Sequence, residues 1–490
     1  MLDQSFSSSN FNLIFLKENR KGSIKERYLN QEYFDMHEKF NALLERKIEL
    51  KNSREERYLT AEELDSFAEQ LEKINEAKEQ IRNNLFAEYS LIINDEKIPF
   101  RFDIKYDVQN KIYVTKKDGV HFFAIKQLQK NLSKTFKVIQ ADRNKIVKQV
   151  FNLISDRYPK IVIRTDIHKF YESIPQDSLF EKINNNTLLS PLSKKLLKRL
   201  FFEFETIKDH VLMKRNEGIP RGFGVSAYLS ELYMREIDNE IRTLDDVIYY
   251  ARYVDDIIVV FSPKSKSQKN DYLSEVKAIV KNNGLAINDN LEGRSDKTQI
   301  IDLIDCPLSA QVELTFLGYK FIINQNQDLK IELSKDKINK YINRIGIAVQ
   351  KYNLDSKFNE KRSRRMLLER LKFLTGNYSL NHNKKNVRAG IYYSNQMLAL
   401  NSSVFSSLHT LNCRMYQQFN NISPPEKIGI DKGGFIEFLK SKFCFKDGFF
   451  NKKKNFYSFR FNSKEQRYYN NAYNKYISKF EVIKSVWNNE

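Results

Sequence analysis

The sequence predicts an α+β protein with a mixed core between two helical regions. Residues 30–90 are strongly charged and place apolar side chains at helical spacing. Residues 100–330 alternate short β-prone runs with helical stretches, and helical periodicity returns beyond residue 334. At 490 residues the chain is long enough for a large buried core.

The N-terminal region, residues 1–99, is predicted to be a helical extension. Thr60 followed by Glu63 predicts a capping box, which marks the start of a helix. Apolar residues follow at spacings of three and four or their sum: Leu64, Phe67, Leu71, Ile74, Ile81 and Leu85. We interpret this stripe as a face that packs on the rest of the protein, and packing on a partner is the alternative.

Two more helices are predicted in residues 334–400. The first carries an apolar stripe of Ile338, Tyr341, Ile342, Ile345 and Val349. The second opens with the basic segment Lys361–Arg365 and ends near Gly376. Residues 401–490 form a basic, aromatic region in which the alternation of Phe459 with Phe461 predicts a strand; stacking of these rings on single-stranded bases is the alternative.

The charge balance points to a polyanionic partner. The 82 lysines and arginines outnumber the 62 aspartates and glutamates, which gives a net charge of +20. Nucleic acid is the first interpretation of this excess, and an anionic membrane surface is the competing one. No stretch approaches the ~20 consecutive apolar residues of a membrane-spanning helix, and residues 1–12 lack a secretion signal. We therefore expect a soluble cytoplasmic protein that does not enter the membrane.

Cysteine usage indicates neither a disulfide framework nor a zinc site. The three cysteines, Cys306, Cys413 and Cys444, are an odd number at wide spacing. Reduced, buried thiols are the expectation.

Acidic residues lie at the ends of two apolar segments. Residues 161–166 predict a buried strand that ends at Asp166, and residues 249–261 predict a hairpin with Asp255 and Asp256 at its tip. An aspartate at a turn often does no more than bond nearby backbone amides. Two acids between such apolar arms are partly desolvated, however, and like charges at close range favour a bound cation. Divalent metal ions satisfy that requirement, although the spacing alone does not bring the three acids together.

Between residues 100 and 335 the sequence resembles reverse transcriptases. Residues 166–171 resemble the first catalytic motif of that family, and residues 253–256 resemble its catalytic hairpin. Further segments occur in the family's order, namely residues 139–144, 218–226, 284–288 with 297–298, and 316–319. The resemblance implies a right-hand polymerase with an antiparallel palm sheet, in which residues 100–165 are fingers, 166–333 palm and 334–400 a thumb-like region.

The same resemblance assigns the catalytic centre. Asp166, Asp255 and Asp256 would be catalytic, and the metal ligands would be these three with Ile167. The expected cofactor is a pair of Mg²⁺ ions, with Mn²⁺ as an alternative. Such a pair, ~4 Å apart, activates the attacking 3′-oxygen and neutralises the leaving pyrophosphate.

Contacts to the nucleotide and to nucleic acid also follow from the resemblance. Tyr171 would be a steric gate against ribonucleotides, and a plain core role is its alternative. The other nucleotide-binding residues would be Arg143, Arg221, Gly222 and Lys297. The primer grip would be Phe316, Leu317, Gly318 and Tyr319. Many relatives carry Gln where this chain has Arg221, and this difference bears on template dependence and base preference.

Four cations on the predicted thumb helix are candidates for contacts to a nucleic-acid backbone. They are Lys361, Arg362, Arg364 and Arg365. A solvated helix face is the alternative.

Within the family, residues 139–144, 219–234, 371–377 and 390–395 are most similar to bacterial defense-associated reverse transcriptases, with the first polymerase of the type-3 systems as the narrower match. This similarity implies RNA-directed DNA synthesis in antiphage defense, with a structured RNA template, a DNA product, and a second reverse transcriptase or a second copy as partner. RNA-directed RNA synthesis and a non-catalytic RNA-binding scaffold are the alternatives.

Overall fold

The computed structural model describes most of the chain. The described residues are 2–19, 24, 26–52, 60–156, 158–209, 213–265, 270–288, 297–304, 311–323, 329–380, 388–400, 404–425, 429, 431–452, 456–459, 468–470, 475–477 and 479–486. Cys306 and most of the aromatic segment around Phe461 lie outside them.

Helices dominate the two ends of the chain, as the periodicity predicts. In chain order they are α1 (Ser8–Asn19), α2 (Gln31–Asn52), α3 (Ala61–Asn94), α4 (Gly119–Thr135), α5 (Arg143–Ser155), α6 (Phe170–Ser173), α7 (Gln176–Asn185), α8 (Pro191–Ile207), α9 (Gly224–Arg242), α10 (Tyr272–Asn282), α11 (Lys335–Asp355), α12 (Glu360–Thr375), α13 (Val404–Phe419), α14 (Lys432–Lys442), α15 (Phe445–Phe450) and α16 (Lys479–Lys484). Short 3₁₀ turns occupy Glu26–Tyr28 and Gln396–Leu400.

The strands lie mostly between the two helical regions. They are β1 (Lys105–Asp107), β2 (Ile112–Val114), β3 (Ile161–Asp166), β4 (Val247–Tyr253), β5 (Asp256–Phe261), β6 (Gln299–Asp302), β7 (Val312–Phe316), β8 (Tyr319–Ile323), β9 (Leu329–Leu333), β10 (Asn377–Leu380), β11 (Arg388–Gly390), β12 (Phe456–Phe459), β13 (Tyr468–Asn470) and β14 (Lys475–Ile477). The α+β class predicted from the sequence is confirmed.

The chain forms two compact units that alternate along the sequence. The first unit contains Met1–Gln140, Ile167–Leu244 and Asp271–Asn288. The second contains Ala141–Asp166, Asp245–Asn270 and Asp289–Glu490. Each unit is assembled from three separate stretches of sequence, whereas the predicted fingers, palm and thumb are each one continuous stretch. The two divisions do not correspond, so the fingers, palm and thumb assignments stay predictions.

Helices build most of the first unit. The helix α3 begins at Thr60, whose side chain accepts from the amide of Glu63 while the Glu63 carboxylate accepts from the amide of Thr60. The predicted capping box is therefore confirmed. Helix α3 packs against α2 and α1, and rings from α1, α3 and α4 meet at Phe11, Phe86 and Phe123. These buried rings fix the N-terminal helices on the rest of the unit.

A four-stranded antiparallel sheet lies in the second unit, in the order β4-β5-β3-β6. Strands β3 and β5 occupy its centre, and their residues are mainly β-branched and apolar. Such strands are stable only when both faces are covered. Accordingly Val162, Ile258 and Val260 are fully buried.

A second antiparallel sheet, β7-β8-β9, packs in the same core as helices α11 to α13. The stripe predicted on α11 is confirmed in part by burial, since Ile345 and Val349 are buried there. Helix α12 spans the predicted basic helix and ends at Thr375, one residue before Gly376.

Two expectations for the C-terminal region have different outcomes. Residues 456–459 form strand β12, which pairs in parallel with β10, so the strand interpretation is confirmed for the described part of that segment. The burial expected for the thiols is wrong for Cys413, which is exposed on α13, and Cys444 is only half-buried. The buried face of α13 carries Leu408, Leu411 and Met415 instead. Among the described residues, every helix is too short or too polar to cross a bilayer.

Candidate active site

Asp166 and Asp256 are register partners on neighbouring strands. Strand β3 runs antiparallel to β5, and the pairing brings Asp166 directly opposite Asp256. Directly opposed residues of an antiparallel pair project from the same face of the sheet, with Cβ atoms ~5 Å apart. The two acids, 90 positions apart in sequence, are thus neighbours at one end of the sheet.

The tip of the hairpin between β4 and β5 is strained. Tyr253 pairs with Asp256, so Val254 and Asp255 form a two-residue turn. Val254 has φ of 62°, a left-handed conformation that a β-branched residue rarely adopts. The buried Arg252 donates from Nη1 to the carbonyl of Val254 at 2.8 Å and holds the turn. The strain fixes where Asp255 lies beside Asp256.

Two cations flank the acids, Arg164 on β3 and Lys297 just before β6. Arg164 lies two residues before Asp166, and its Nη2 is 3.2 Å from Oδ1 of Asp256. The other guanidinium nitrogen of Arg164 donates to the carbonyl of Lys297. Lys297 in turn places Nζ 3.0 Å from Oδ2 of Asp166. Each of these two acids therefore has a cationic neighbour.

Burial raises the pKa of the Asp256 carboxyl above its ordinary value. Arg164 lowers this pKa, whereas Asp255 and Asp166 raise it further through their negative charge. The negative charges of Asp255 and Asp166 thus act on Asp256, and a bound cation would stabilise the charged form of this site.

Among the described residues, no group of three or more His, Cys, Asp or Glu side chains is arranged so that it could hold a metal ion. The donor set nevertheless fits Mg²⁺, because hard carboxylate oxygens are its preferred protein ligands and it keeps several waters and substrate phosphates. The pairing of Asp166 with Asp256 across β3 and β5 is the structural observation in favour of this fit. Ile167, the other predicted ligand, belongs to the first unit and forms an isolated bridge to Ile287.

The predicted primer grip is the tight turn between β7 and β8. Phe316 pairs with Tyr319, and Leu317 and Gly318 between them have φ of 47° and 74°. Two positive φ angles are typical of the turn type that matches the twist of a hairpin. Phe316 and Tyr319 are fully buried, and burial raises the pKa of Tyr319 to about 12.

Arg143 contacts this turn. Its Nη2 donates to the carbonyl of Leu317, and its guanidinium lies 5.4 Å from the centre of the Tyr319 ring. Lys337 lies over the same ring at 4.4 Å. The structure thus shows the Arg143 side chain in contact with the turn. Its predicted contact with a triphosphate stays a prediction.

In the first unit, backbone hydrogen bonds connect the segment Gly218–Gly222 to Tyr171 and to Tyr113. The amide of Ile219 donates to the carbonyl of Tyr171 at 2.8 Å, and the amide of Tyr113 donates to the carbonyl of Arg221 at 2.7 Å. Gly222 has φ of 113°, and a Cβ there would lie 2.6 Å from the carbonyl oxygen of Tyr113. Only glycine fits this position.

A buried polar network supports that segment, and sequence reasoning missed it. Nζ of Lys208 donates to the Glu205 carboxylate and to the carbonyls of Lys214 and Glu217. The Gln176 amide donates to Glu205 at 2.6 Å and to the carbonyl of Gly218 at 2.8 Å. Lysine and glutamate at the end of a charged helix look like solvated residues, so the sequence held no signal for this network.

The basic residues of α12 differ in surroundings. Lys361 and Arg365 are exposed. Arg364 pairs with the buried Glu360 at 2.7 Å and lies 4.7 Å from the centre of the Phe435 ring. Arg364 thus has a structural role, and backbone contacts by the four cations stay a prediction.

Residues 114–321 match the family model for reverse transcriptase (RNA-dependent DNA polymerase). The match covers 208 of the 490 residues and marks this part of the chain as similar to that family. The matched range includes Asp166, Asp255, Asp256, Lys297 and Tyr319. The right-hand polymerase fold predicted from the sequence is confirmed.

Two telomerase structures resemble the chain at low similarity. Telomerase from Candida albicans, in complex with a fragment of telomeric RNA, has 11% identity and a TM-score of 0.30 over 61% of this chain and 51% of its own. Apo telomerase from Candida tropicalis has 16% identity and a TM-score of 0.33 over 64% of this chain and 52% of its own. The chain thus spans about half of each telomerase. At these identities and TM-scores, the two telomerase structures say nothing about the site in this chain. No curated protein matches the sequence.

The predicted site residues fall in both units. The second unit brings together Asp166, Asp255, Asp256 and Lys297, and it also contains the turn at Leu317 and Gly318 that Arg143 contacts. Tyr171, Arg221 and Gly222 belong to the first unit, where the backbone bonds of Tyr113 and Ile219 connect their segments.

Proposed function

We propose that the protein is an RNA-directed DNA polymerase whose catalytic carboxylates are Asp166, Asp255 and Asp256. The single observation that carries the proposal is the pairing of Asp166 with Asp256 on adjacent strands, with Asp255 next to them in a strained turn. The match of residues 114–321 to the reverse transcriptase family supports the same reaction class.

The residues of this chain would act as follows. Asp166, Asp255 and Asp256 would hold divalent metal ions, which when bound lower the pKa of the attacking hydroxyl and neutralise phosphate charge. Arg164 orients Asp256 through the 3.2 Å contact. Lys297 neutralises Asp166 at 3.0 Å and would face phosphate oxygens as the nucleotide arrives.

Primer extension tests the proposal. Purified protein supplied with an RNA template, a DNA primer, dNTPs and Mg²⁺ should extend the primer, and Asp255→Asn should abolish extension. Glu313→Gln is the matched control, because it makes the same carboxylate-to-amide change at an exposed residue of β7. Equal extension by wild type and Asp255→Asn would reject the proposal.

Preference for deoxynucleotides is the next part of the proposal, and it rests on the resemblance of Tyr171 to a steric gate. Removing the ring should open space for a ribose 2′-hydroxyl. Tyr171→Ala should therefore raise the ratio of NTP to dNTP incorporation by roughly ten- to a hundredfold, whereas Tyr171→Phe should leave it unchanged. A wild-type enzyme that prefers NTPs would instead favour RNA-directed RNA synthesis.

We further propose a cognate structured RNA as template and a role in antiphage defense. The support is the similarity of residues 139–144, 219–234, 371–377 and 390–395 to defense-associated reverse transcriptases, together with the net charge of +20. Sequencing the nucleic acids that co-purify with the Asp255→Asn protein would identify the template. Phage plating on cells with the wild-type or the Asp255→Asn protein would test the defense role.

A further inference from the structure

A positively charged pocket lies within the first unit, between helices α1, α4 and α9. Its cavity volume is about 290 Å³. We call it the lysine pocket and define it by Lys17, Lys126, Lys130, Lys134 and Tyr228. None of these residues belongs to the proposed catalytic site.

The lysine pocket follows from the sequence of α4. Lys126, Lys130 and Lys134 are spaced by four residues, so they lie in a row on one face of the helix. Like charges in such a row repel one another. Helix α1 adds Lys17 from the facing wall of the same cavity. Two helices from distant parts of the sequence thus direct cations to one concave surface.

Cations outnumber acids in the lining of this pocket. The lining contains four lysines and one acid, Glu18, whose Oε2 lies 3.2 Å from Nζ of Lys126. Nζ of Lys130 donates at 2.7 Å to the neutral Oδ1 of Asn10. Burial lowers the pKa of Lys130, and the charge of Lys17 lowers it further, while Asp3 raises it. A bound anion would stabilise the charged form of these lysines.

The rest of the lining suits a nucleotide unit. Leu13 and Ile14 form an apolar wall, and Tyr228 adds an aromatic ring with a hydroxyl. Gln129 and Ser133 supply uncharged hydrogen-bonding groups. Cavities of this volume lie at the small end of ligand sites, so the lysine pocket accepts one small charged group with a short apolar part.

We propose that the lysine pocket binds a backbone phosphate of RNA and so anchors the nucleic acid to the N-terminal helices. The recognised chemistry is a phosphate ester, contacted by Lys17, Lys130 and Lys134. The inference rests on the proposed function only for the choice of RNA as the polyanion. A free nucleotide carries the same chemistry and is the other source.

Salt-dependent binding of a labelled RNA hairpin tests the inference. We would compare wild type with a pocket variant, Lys17→Gln/Lys130→Gln/Lys134→Gln. Each lost phosphate contact lowers the magnitude of the slope of log K against log salt by about 0.7 to 0.9, so the pocket variant, which loses the one phosphate, should lose about that amount. The matched control is Lys97→Gln/Lys195→Gln/Lys198→Gln, which changes the same net charge at exposed residues of the same unit. Its slope should stay near that of wild type.

All three proteins would carry Asp255→Asn, so RNA binding is measured without catalysis and its outcome is separate from that of the polymerase test. Circular dichroism would verify that the pocket variant is folded, and the milder Lys134→Gln, at an exposed residue, would replace it if it is not. An equal loss of slope in pocket and control variants would overturn the inference. Labelled ATP that binds wild type but not the pocket variant, with an unchanged RNA slope, would also overturn it and assign the pocket to a free nucleotide.

Discussion

Nζ of Lys297 lies 3.0 Å from Oδ2 of Asp166, on the side of β3 that pairs with β6, while Asp256 lies across from Asp166 on β5. A metal ion that binds this oxygen of Asp166 competes with the ammonium group for it. Lys297 therefore neutralises the charge of Asp166 and also competes with the proposed metal ions for its carboxylate.

Lys297→Met should tighten binding of the divalent ion. The Lys297 side chain is 51% exposed, so the ion pair contributes at most about 1 kcal/mol, which corresponds to an affinity gain of up to about fivefold. Titration with Mn²⁺ by electron paramagnetic resonance, without nucleotide, measures this gain. Lys320→Met removes a similar pair with Glu313 and should leave Mn²⁺ affinity unchanged. Weaker Mn²⁺ binding by Lys297→Met would contradict the prediction.

Val254→Asn should stabilise the protein. The left-handed φ of 62° costs a β-branched residue on the order of 1 kcal/mol more than asparagine. The free energy of unfolding, measured in urea, should therefore rise by about 1 kcal/mol. Val254→Thr is the matched control, because it keeps the branch at Cβ and should give no gain. Equal effects of the two substitutions would show that the backbone angle is not the cause.

Lys208→Met should destabilise the first unit. It leaves the carboxylate of Glu205 and two carbonyls without their buried cationic donor, at a cost of roughly 2–4 kcal/mol. Thermal unfolding measures this cost. Lys214→Met removes a lysine whose side chain is 87% exposed, and it should change stability by less than about 0.5 kcal/mol. A similar loss in both variants would exclude a special role for the buried lysine.

Lys337 should make stability depend on pH. Burial, with a smaller effect of Arg143, lowers its pKa to about 7, whereas an unfolded lysine has a pKa near 10.5. Between these values the unfolded chain binds a proton that the folded chain does not, so this residue makes stability rise with pH from about 7 to 10.5.

The test compares Lys337→Met with wild type. The variant lacks this titration, so its stability relative to wild type should be highest near pH 7 and should decline toward pH 10.5. Thermal midpoints across this range measure the difference. If the difference in thermal midpoint between the variant and wild type stays constant with pH, Lys337 has the ordinary pKa of a lysine in the folded protein, and the prediction is wrong.

Much of the fold and part of the site could be predicted from local sequence. The β-branched runs that end at Asp166 and surround Asp255 specify strands, because such residues fit a pleated, buried surface. The residues Thr60 and Glu63 specify a helix start, since they satisfy each other's backbone amides. These features depend on neighbours within a few residues.

Only the tertiary structure decided how distant segments meet. Three relationships join residues far apart in sequence: the register that opposes Asp166 to Asp256, the contact of Lys297 with Asp166, and the hydrogen bond from Arg143 to the carbonyl of Leu317. The sequence by itself determined that the chain has acidic strand ends and a reverse-transcriptase-like order of motifs. It did not determine which cation neutralises which acid, because a charged side chain looks solvated in sequence until packing removes it from water.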